Sequence, residues 1–175
     1  MKKLLIIVDY QNDFIDGKLG FPEAIEIKYE IIKKIAYYRN HDYDIIFTLD
    51  THNDDYLKTE EGINLPVNHC IKGSKGHEIE SDILSLKSPK DKVFEKPTFP
   101  SLDMGNYLSK THYDYVELCG LVSNICVISN AIIVKSALPN AHIVVDAKAT
   151  KSFDKDLHEK SLDVMQGLHI EVINR

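Results

Sequence analysis

The chain has 175 residues, and its 21 basic and 27 acidic side chains give a formal net charge of -6. This acidic balance offers no basic footprint for nucleic acid, and no apolar segment approaches the roughly 20 residues that cross a bilayer. The three cysteines are an odd number at irregular spacing and no secretory leader is evident, so we expect a cytoplasmic protein without disulfides. We expect residues 1–175 to form one domain, since a chain of this length can bury a sizeable core.

Apolar runs and amphipathic segments alternate along the chain. The apolar runs predict strands at residues 2–8, 43–49, 116–122, 141–145 and 170–173. Amphipathic or capped segments predict helices at residues 22–40, 78–86, 101–110, 125–137 and 154–168. In the last helix, one face is expected to carry Leu157, Ser161, Met165 and Leu168. The alternation predicts a doubly wound, mainly parallel α/β sheet with helices on both faces, a Rossmann-like architecture that binds ligands at the carboxyl ends of its strands.

The turn after the strand at residues 116–122 holds a candidate nucleophile. Ser123 is suited to cap the following helix, which places Cys126 in the first helical turn. Unpaired N–H groups and the positive end of the helix dipole favour a thiolate there. Such a cysteine also needs a base for its proton and a cation for the resulting charge.

Two acidic side chains follow strands that end at the same predicted edge. Asp9 comes directly after the first strand, and Asp50 comes directly after the second. A lone Asp in such a position is more often a turn or cap residue. Because Cys126 also follows a strand, three reactive side chains are expected at one edge, and this favours a site.

A second cluster has the composition of a metal site. Asp50 and His52 lie two residues apart in an extended segment, so they point the same way, and His69 follows on a returning loop. Glu61 lies between them as a possible fourth ligand, and the set leaves positions open for water or substrate. Two alternatives are histidines of a polar surface loop and a closed structural zinc site that also uses Cys70.

Several segments in this order resemble the isochorismatase-like cysteine hydrolases, and within them the nicotinamidase branch, over essentially the whole chain. The resemblance rests on residues 8–14 (VDYQNDF), 50–52 (DTH), 66–70 (PVNHC), 71–76 (IKGSKG), 96–99 (KPTF) and 120–127 (GLVSNICV). Each segment alone is weak, whereas their combination in this order is specific.

The resemblance implies a catalytic triad of Asp9, Lys96 and Cys126. By itself, Lys96 would be interpreted as a solvated surface charge. The resemblance also implies that the N–H groups of Val122 and Cys126 stabilise an oxyanion, with a cis peptide bond at Val122–Ser123.

For this branch, the resemblance implies hydrolysis of nicotinamide to nicotinate and ammonia through a thioester on Cys126, a step of NAD salvage. It implies one divalent metal ion, zinc or alternatively iron or manganese. It also implies a homodimer or larger homo-oligomer, with a small amide rather than nucleic acid or membrane as the partner. The metal ligands that it implies are Asp50, His52 and His69, with Glu61 as the possible fourth ligand, and the candidate substrate contacts are Phe14, Leu65, Phe99 and Val122.

The sequence departs from the branch at Leu65, where nicotinamidases commonly place a Trp, and the chain has no Trp. One alternative is therefore hydrolysis of another small amide or of isochorismate by the same triad. Isochorismatases dispense with the metal ligands, and the retention of Asp50, His52 and His69 argues against a vinyl ether substrate. The other alternative is a non-catalytic module on the same fold that binds a metal or a partner protein.

Overall fold

The computed structural model describes residues 1–175 and contains one six-stranded sheet. The strands are β1 (Lys3–Val8), β2 (Asp44–Asp50), β3 (Lys92–Lys96), β4 (Tyr115–Leu121), β5 (His142–Lys151) and β6 (Glu171–Ile173). They lie in the order β3-β2-β1-β4-β5-β6, and every neighbouring pair is parallel. The predicted doubly wound α/β architecture is confirmed.

Helices cover both faces of the sheet. They are α1 (Asn12–Ile15), α2 (Lys28–Asn40), α3 (Glu60–Asn64), α4 (Ser81–Ser85), α5 (Leu102–Leu108), α6 (Ile128–Ala137) and α7 (Lys155–Gly167). Buried residues of α2 and α4 belong to an apolar cluster on one face, and those of α5, α6 and α7 belong to a cluster on the other. Because both faces are covered, strands such as β1 are apolar at nearly every position rather than at alternate ones. No helix is long and apolar enough to span a bilayer.

The strand order reverses beside β1, which has β2 on one side and β4 on the other. Ligands of doubly wound sheets bind at the carboxyl ends of the strands next to such a reversal. Asp9 follows β1, while Asp50 and Lys96 are the last residues of β2 and β3 and lie opposite each other in the ladder. The chain leaving β4 reaches Cys126 five residues later. Four reactive side chains therefore come from four strands to one edge.

The sequence analysis did not predict β3. Its sequence, KVFEK, has no run of apolar residues, and only Lys96 at its end is buried. The strand lies at the edge of the sheet, so one of its sides has no neighbouring strand and its exposed positions tolerate polar residues. Its ladder with β2 forms through tertiary contact rather than through a local pattern.

The inward face of α7 differs from the predicted one. Leu157 and Leu168 are 42% and 41% exposed, whereas His158 and Leu162 join Ser161 and Met165 in the interior. The predicted helix at residues 22–40 is likewise shorter, because a single turn at Pro22–Ala24 precedes α2. In both helices, packing against the sheet fixes the buried stripe. For α7 this packing buries a histidine that the apolar pattern excluded.

Gly120 in β4 is a position where a side chain cannot be accommodated. Its φ is +113°, and an added Cβ would lie 2.0 Å from the carbonyl oxygen of Val8 in β1. We expect Gly120→Ala to lower the free energy of unfolding by more than about 3 kcal/mol, through backbone strain and separation of two central strands. Chemical denaturation measures this loss.

The matched control is Gly167→Ala at the end of α7, where an added Cβ meets no atom within 4 Å. This substitution is expected to be neutral or to stabilise by up to about 1 kcal/mol, because alanine favours the helix. Equal stability of the two variants would contradict the assigned role of Gly120.

Candidate active site

Asp9 lies at the first turn after β1 and is completely buried. Its φ of 46° places the backbone in the left-handed region, which costs on the order of 1 kcal/mol for a residue with a side chain. Thr48 donates a hydrogen bond from Oγ1 to Asp9 Oδ1 at 2.7 Å. Thr48 of the neighbouring strand thus fixes Oδ1 of Asp9, and Oδ2 faces Lys96.

Lys96 is 1% exposed and lies at the centre of the site. Its Nζ lies 2.7 Å from Asp9 Oδ2, 3.3 Å from Asp50 Oδ1 and 3.7 Å from Cys126 Sγ, and it donates to the carbonyl oxygen of Thr98 at 3.0 Å. The contact with Asp9 is a buried ion pair that leaves this carboxylate oxygen beside both the lysine and the cleft. The structure thus brings the three residues of the implied triad together.

Cys126 lies in a π-helical turn, Ser123–Val127, that leads directly into α6. The carbonyl oxygen of Val122 accepts hydrogen bonds from the N–H groups of Ile125 and Val127 at 3.2 and 3.1 Å. Single π-helical turns are rare and frequently mark functional positions. Cys126 is 5% exposed, and its location in the first turn agrees with the sequence analysis.

Two details of this turn differ from expectation. The cis peptide bond joins Leu121 to Val122, one position before the expected Val122–Ser123 bond. Ser123 is not the helix cap, since Val122 occupies that position and no side chain caps the turn. The turn begins one residue earlier than the capping pattern indicated, and the hydroxyl of Ser123 contacts His158 outside the turn.

The expectation of a resting thiolate is wrong for this structure. Burial raises the pKa of the Cys126 thiol well above its ordinary value, Lys96 opposes this shift, and the negative charges of Asp9 and Asp50 add to it. Burial also raises the pKa of Asp9 against the lowering effect of Lys96. The desolvation of a buried thiolate therefore exceeds the help from one cation, and this balance disfavours a resting thiolate.

Four side chains beside the triad have the arrangement of a metal site. Asp50 Oδ2 lies 3.0 Å from His52 Nε2 and 3.1 Å from His69 Nε2, and Glu61 Oε1 lies 3.4 and 3.9 Å from the same two nitrogens. One donor atom from each of these residues falls within 4.8 Å of all the others. Cys70 is buried in the core and lies outside this group, which argues against a closed site that uses its thiolate.

Neighbouring groups orient the four donors. Gln11 accepts from the N–H of Asp50 at 2.8 Å and donates to its carbonyl at 2.9 Å. His69 places Nδ1 2.7 Å from the carbonyl oxygen of Val67, which directs Nε2 toward Asp50. Asp13 accepts from the N–H of Cys70 at 2.7 Å and thereby fixes the loop next to His69. Such outer contacts are what hold metal-binding side chains in place.

The charges of this group suit a divalent cation. Burial opposes ionisation of Asp50, but hydrogen bonds from His52 and His69 and the charge of Lys96 hold its pKa well below its ordinary value. Burial lowers the pKa of His52, but Asp50 and Glu61 together raise it to about 9, so a metal ion bound by this imidazole would displace its proton. Two carboxylates and two imidazoles converging in a buried pocket form a donor set that zinc, iron and manganese all accept.

A cavity of about 550 Å³ connects the two clusters, within the usual range of about 300–1,000 Å³ for ligand sites. Cys126 lines this cavity together with Asp50, Glu61 and His69. The expected substrate contacts Phe14, Leu65, Phe99 and Val122 all line it. A more open groove of about 760 Å³ contains none of the triad or ligand residues.

Sequence reasoning missed several residues that hold this site. Thr48 and Gln11 orient Asp9 and Asp50, and Thr98 links the clusters by accepting from Lys96 and donating to Glu61 Oε2 at 3.2 Å. Gln11 and Thr98 lie inside the segments that carried the resemblance, which is the one signal available for them. Thr48 lies within an apolar strand, and nothing in its local pattern indicates its contact.

The fold and the cleft together define the class of protein: a doubly wound α/β protein whose cleft holds a buried cysteine, lysine and aspartate beside a potential metal group. The family model of the isochorismatase domain matches residues 3–175. The chain therefore belongs to the isochorismatase family, and the resemblance to its nicotinamidase branch is supported by relatives in sequence and structure. The hydrolases of this family include nicotinamidases, which act on an amide bond.

Three relatives illustrate the similarity. PncA, an uncharacterized isochorismatase family protein of Bacillus subtilis (strain 168), is 30% identical, and the alignment covers 93% of each chain. The nicotinamidase of Saccharomyces cerevisiae is 26% identical across 99% of this chain and 100% of its own. The crystal structure of the pyrazinamidase of Pyrococcus horikoshii in complex with zinc has a TM-score of 0.86 at 21% identity and covers 100% of both chains.

Proposed function

We propose that the protein is a metal-assisted cysteine amidohydrolase that converts nicotinamide and water into nicotinate and ammonia. One observation carries this proposal: Lys96 Nζ contacts Asp9, Asp50 and Cys126 simultaneously, so one buried cation links a base, a potential metal ligand and a thiol. The similarity to a yeast nicotinamidase along the whole chain supports the choice of substrate.

The first chemical step joins Cys126 to the substrate. Asp9 accepts the thiol proton while Sγ of Cys126 attacks the carboxamide carbon. The carbonyl π electrons move to oxygen, and the N–H groups of Val122 and Cys126 stabilise the oxyanion, an effect worth roughly 3 kcal/mol per donor. Lys96 remains protonated and offsets the negative charge throughout. The raised pKa of Asp9 makes it a stronger base than an ordinary carboxylate.

The second half of the reaction releases ammonia and then the acid. Asp9 returns its proton to the nitrogen, the C–N bond breaks, and ammonia leaves a thioester on Cys126. Asp9 then takes a proton from water, whose oxygen attacks the thioester carbon. Collapse of this adduct breaks the C–S bond, and the proton on Asp9 returns to the sulfur. The thiol and the carboxylate are both restored.

Asp50, His52, His69 and Glu61 are the residues that would hold the metal ion. A divalent cation bound there would supply Lewis acidity and an attachment point for a lone-pair donor of the substrate. Zinc fits the four nitrogen and oxygen donors, and the pyrazinamidase of the same fold was crystallised with zinc. Iron and manganese accept the same donors.

The substrate ring would pack against Phe14, Phe99, Leu65 and Val122, the apolar wall between the two clusters. Leu65 cannot stack on a ring as an indole does, so Phe14 and Phe99 supply the aromatic contacts. Isochorismate, the alternative substrate, gives the four-ligand group no role, and the geometry of that group therefore favours an amide.

The proposed reaction places the protein in NAD salvage, and we propose a cytoplasmic location and a homodimer or larger homo-oligomer. All three cysteines are free and buried, which suits a reducing compartment.

The test is ammonia release from nicotinamide by protein purified without a nickel affinity step. We expect turnover, loss of most activity after incubation with a chelator, and recovery on adding zinc, iron or manganese. Pyrazinamide and small aliphatic amides serve as comparison substrates. Protein that binds one equivalent of metal and releases no ammonia from nicotinamide would contradict the proposal.

A further inference from the structure

The buried histidine of α7 contacts the turn that carries Cys126. His158 is 7% exposed, and its Nδ1 lies 2.8 Å from the hydroxyl oxygen of Ser123, which is completely buried. The two residues are 35 positions apart in sequence, and neither lines the cavity that holds the nucleophile. The contact joins the last helix of the chain to the turn before α6.

Ser123 links His158 to the turn that carries Cys126. It lies between Val122 and Cys126, the two residues whose N–H groups would form the oxyanion site. Its carbonyl oxygen accepts from the N–H of Ile128 and closes the π-helical turn. A shift of Ser123 therefore moves the sulfur and the oxyanion donors together. Because the hydroxyl makes no capping bond within the turn, His158 is the partner that fixes it.

Several contacts hold the backbone of α7 around His158. Asp154 caps α7 by accepting from the N–H of Leu157 at 2.9 Å, and Ser161 donates from Oγ to the carbonyl oxygen of His158 at 2.7 Å. Arg175 pairs with Glu159 at 2.8 Å on the next residue of the same helix. The backbone that carries His158 is thus anchored independently of Ser123.

The histidine also lines a polar surface cavity of about 380 Å³, together with charged residues that include Lys151 and Lys155. The pKa of His158 lies below its ordinary value, because burial and the positive charges of Lys151 and Arg175 lower it. The negative charge of Glu159 opposes this shift only in part. The ring is therefore neutral at pH 7 and carries one donor and one acceptor nitrogen. A neutral imidazole can pair with a hydroxyl whichever of the two groups donates.

We infer that His158 is a positioning residue for the hydrolysis, which acts through Ser123 to hold the turn that carries Cys126 and the N–H of Val122. This inference rests on the proposed function for its kinetic consequences. The contact matters most in the tetrahedral intermediate, when Sγ of Cys126 and the oxyanion donors must be held in position. Its loss is therefore expected to lower kcat more than it changes KM.

The test compares His158→Phe, Ser123→Ala and the double variant. Loss of one hydrogen bond predicts a fall in kcat of about three- to tenfold in each single variant, with KM close to that of the wild type. The double variant is expected to be no worse than the poorer single one, because both substitutions remove the same contact. His158→Asn keeps a polar atom near the position of Nδ1 and is expected to recover most of the lost kcat.

Ser161→Ala is the matched control, since it removes one of several bonds to the backbone of α7, whose Asp154 cap remains, and it leaves the His158–Ser123 contact in place. We expect its kcat to equal that of the wild type. A wild-type kcat in His158→Phe, additive losses in the double variant, or an equal loss in Ser161→Ala would each overturn the inference. Thermal unfolding of every variant separates these results from a failure to fold.

A second readout does not depend on the substrate. The rate at which iodoacetamide alkylates Cys126 reports the position of the thiol even if nicotinamide proves not to be turned over. Equal shifts of this rate in Ser123→Ala and His158→Phe, with no further shift in the double variant, would support the inference. Rates identical to that of the wild type would overturn it, whatever becomes of the proposed function.

Discussion

Cys126→Ala is expected to reduce ammonia release from nicotinamide by at least about 10⁴-fold, because removal of a nucleophile abolishes the covalent route. The fold should be retained, since the substitution removes one sulfur atom at the wall of a cavity. Steady-state ammonia release measures the loss. Mass spectrometry of protein stopped during turnover should show an acyl adduct on the wild type and none on the variant.

Cys119→Ala is the matched control for this prediction. Cys119 is fully buried within β4, and it lies outside the cavity that Cys126 lines. Loss of its sulfur should lower the free energy of unfolding by about 1 kcal/mol and leave kcat unchanged. If Cys126→Ala retained wild-type turnover, the thioester mechanism would be wrong.

Lys96→Met is expected to affect activity and stability together. The substitution removes the cation that contacts Asp9 and Asp50, which are 0% and 3% exposed, and leaves their buried charges without compensation. Breaking a buried pair in this way costs about 3–5 kcal/mol of unfolding free energy. Turnover should fall by at least about 10²-fold, since the charge that offsets the reacting groups is lost. Denaturant unfolding and ammonia release measure the two effects.

Lys34→Met separates these two effects. Lys34 pairs with Glu117 at 2.6 Å and also with Asp146, in a second buried cluster that includes none of the triad residues. Its loss should destabilise the protein by a similar mechanism while kcat stays near that of the wild type. If Lys96→Met turned over substrate at the wild-type rate, the assigned role of Lys96 would be contradicted. Equal losses of kcat in Lys96→Met and Lys34→Met would mean that lower stability alone explains the loss of activity.

The sequence by itself determined the architecture and most of the candidate site. Apolar runs that end on Asp9 and Asp50 marked strands covered on both faces, because a strand buried on both sides needs apolar residues at nearly every position. Since parallel strands present their carboxyl ends at one edge, the residues after those ends could be placed together before any coordinates. The location of Cys126 in a first helical turn followed from the same local pattern.

Only the tertiary structure decided the features that depend on neighbours distant in sequence. The strand that ends at Lys96 has a polar sequence and forms because β2 offers its edge, so a lysine with the local pattern of a surface charge becomes almost completely buried. The protonation of Cys126 likewise depends on how far burial and two carboxylates outweigh one ammonium. His158 has no local signal at all, because its contact with Ser123 arises from the packing of α7 against a turn 35 residues away. Desolvation and pairing are properties of the assembled interior, and the order of residues along the chain does not specify them.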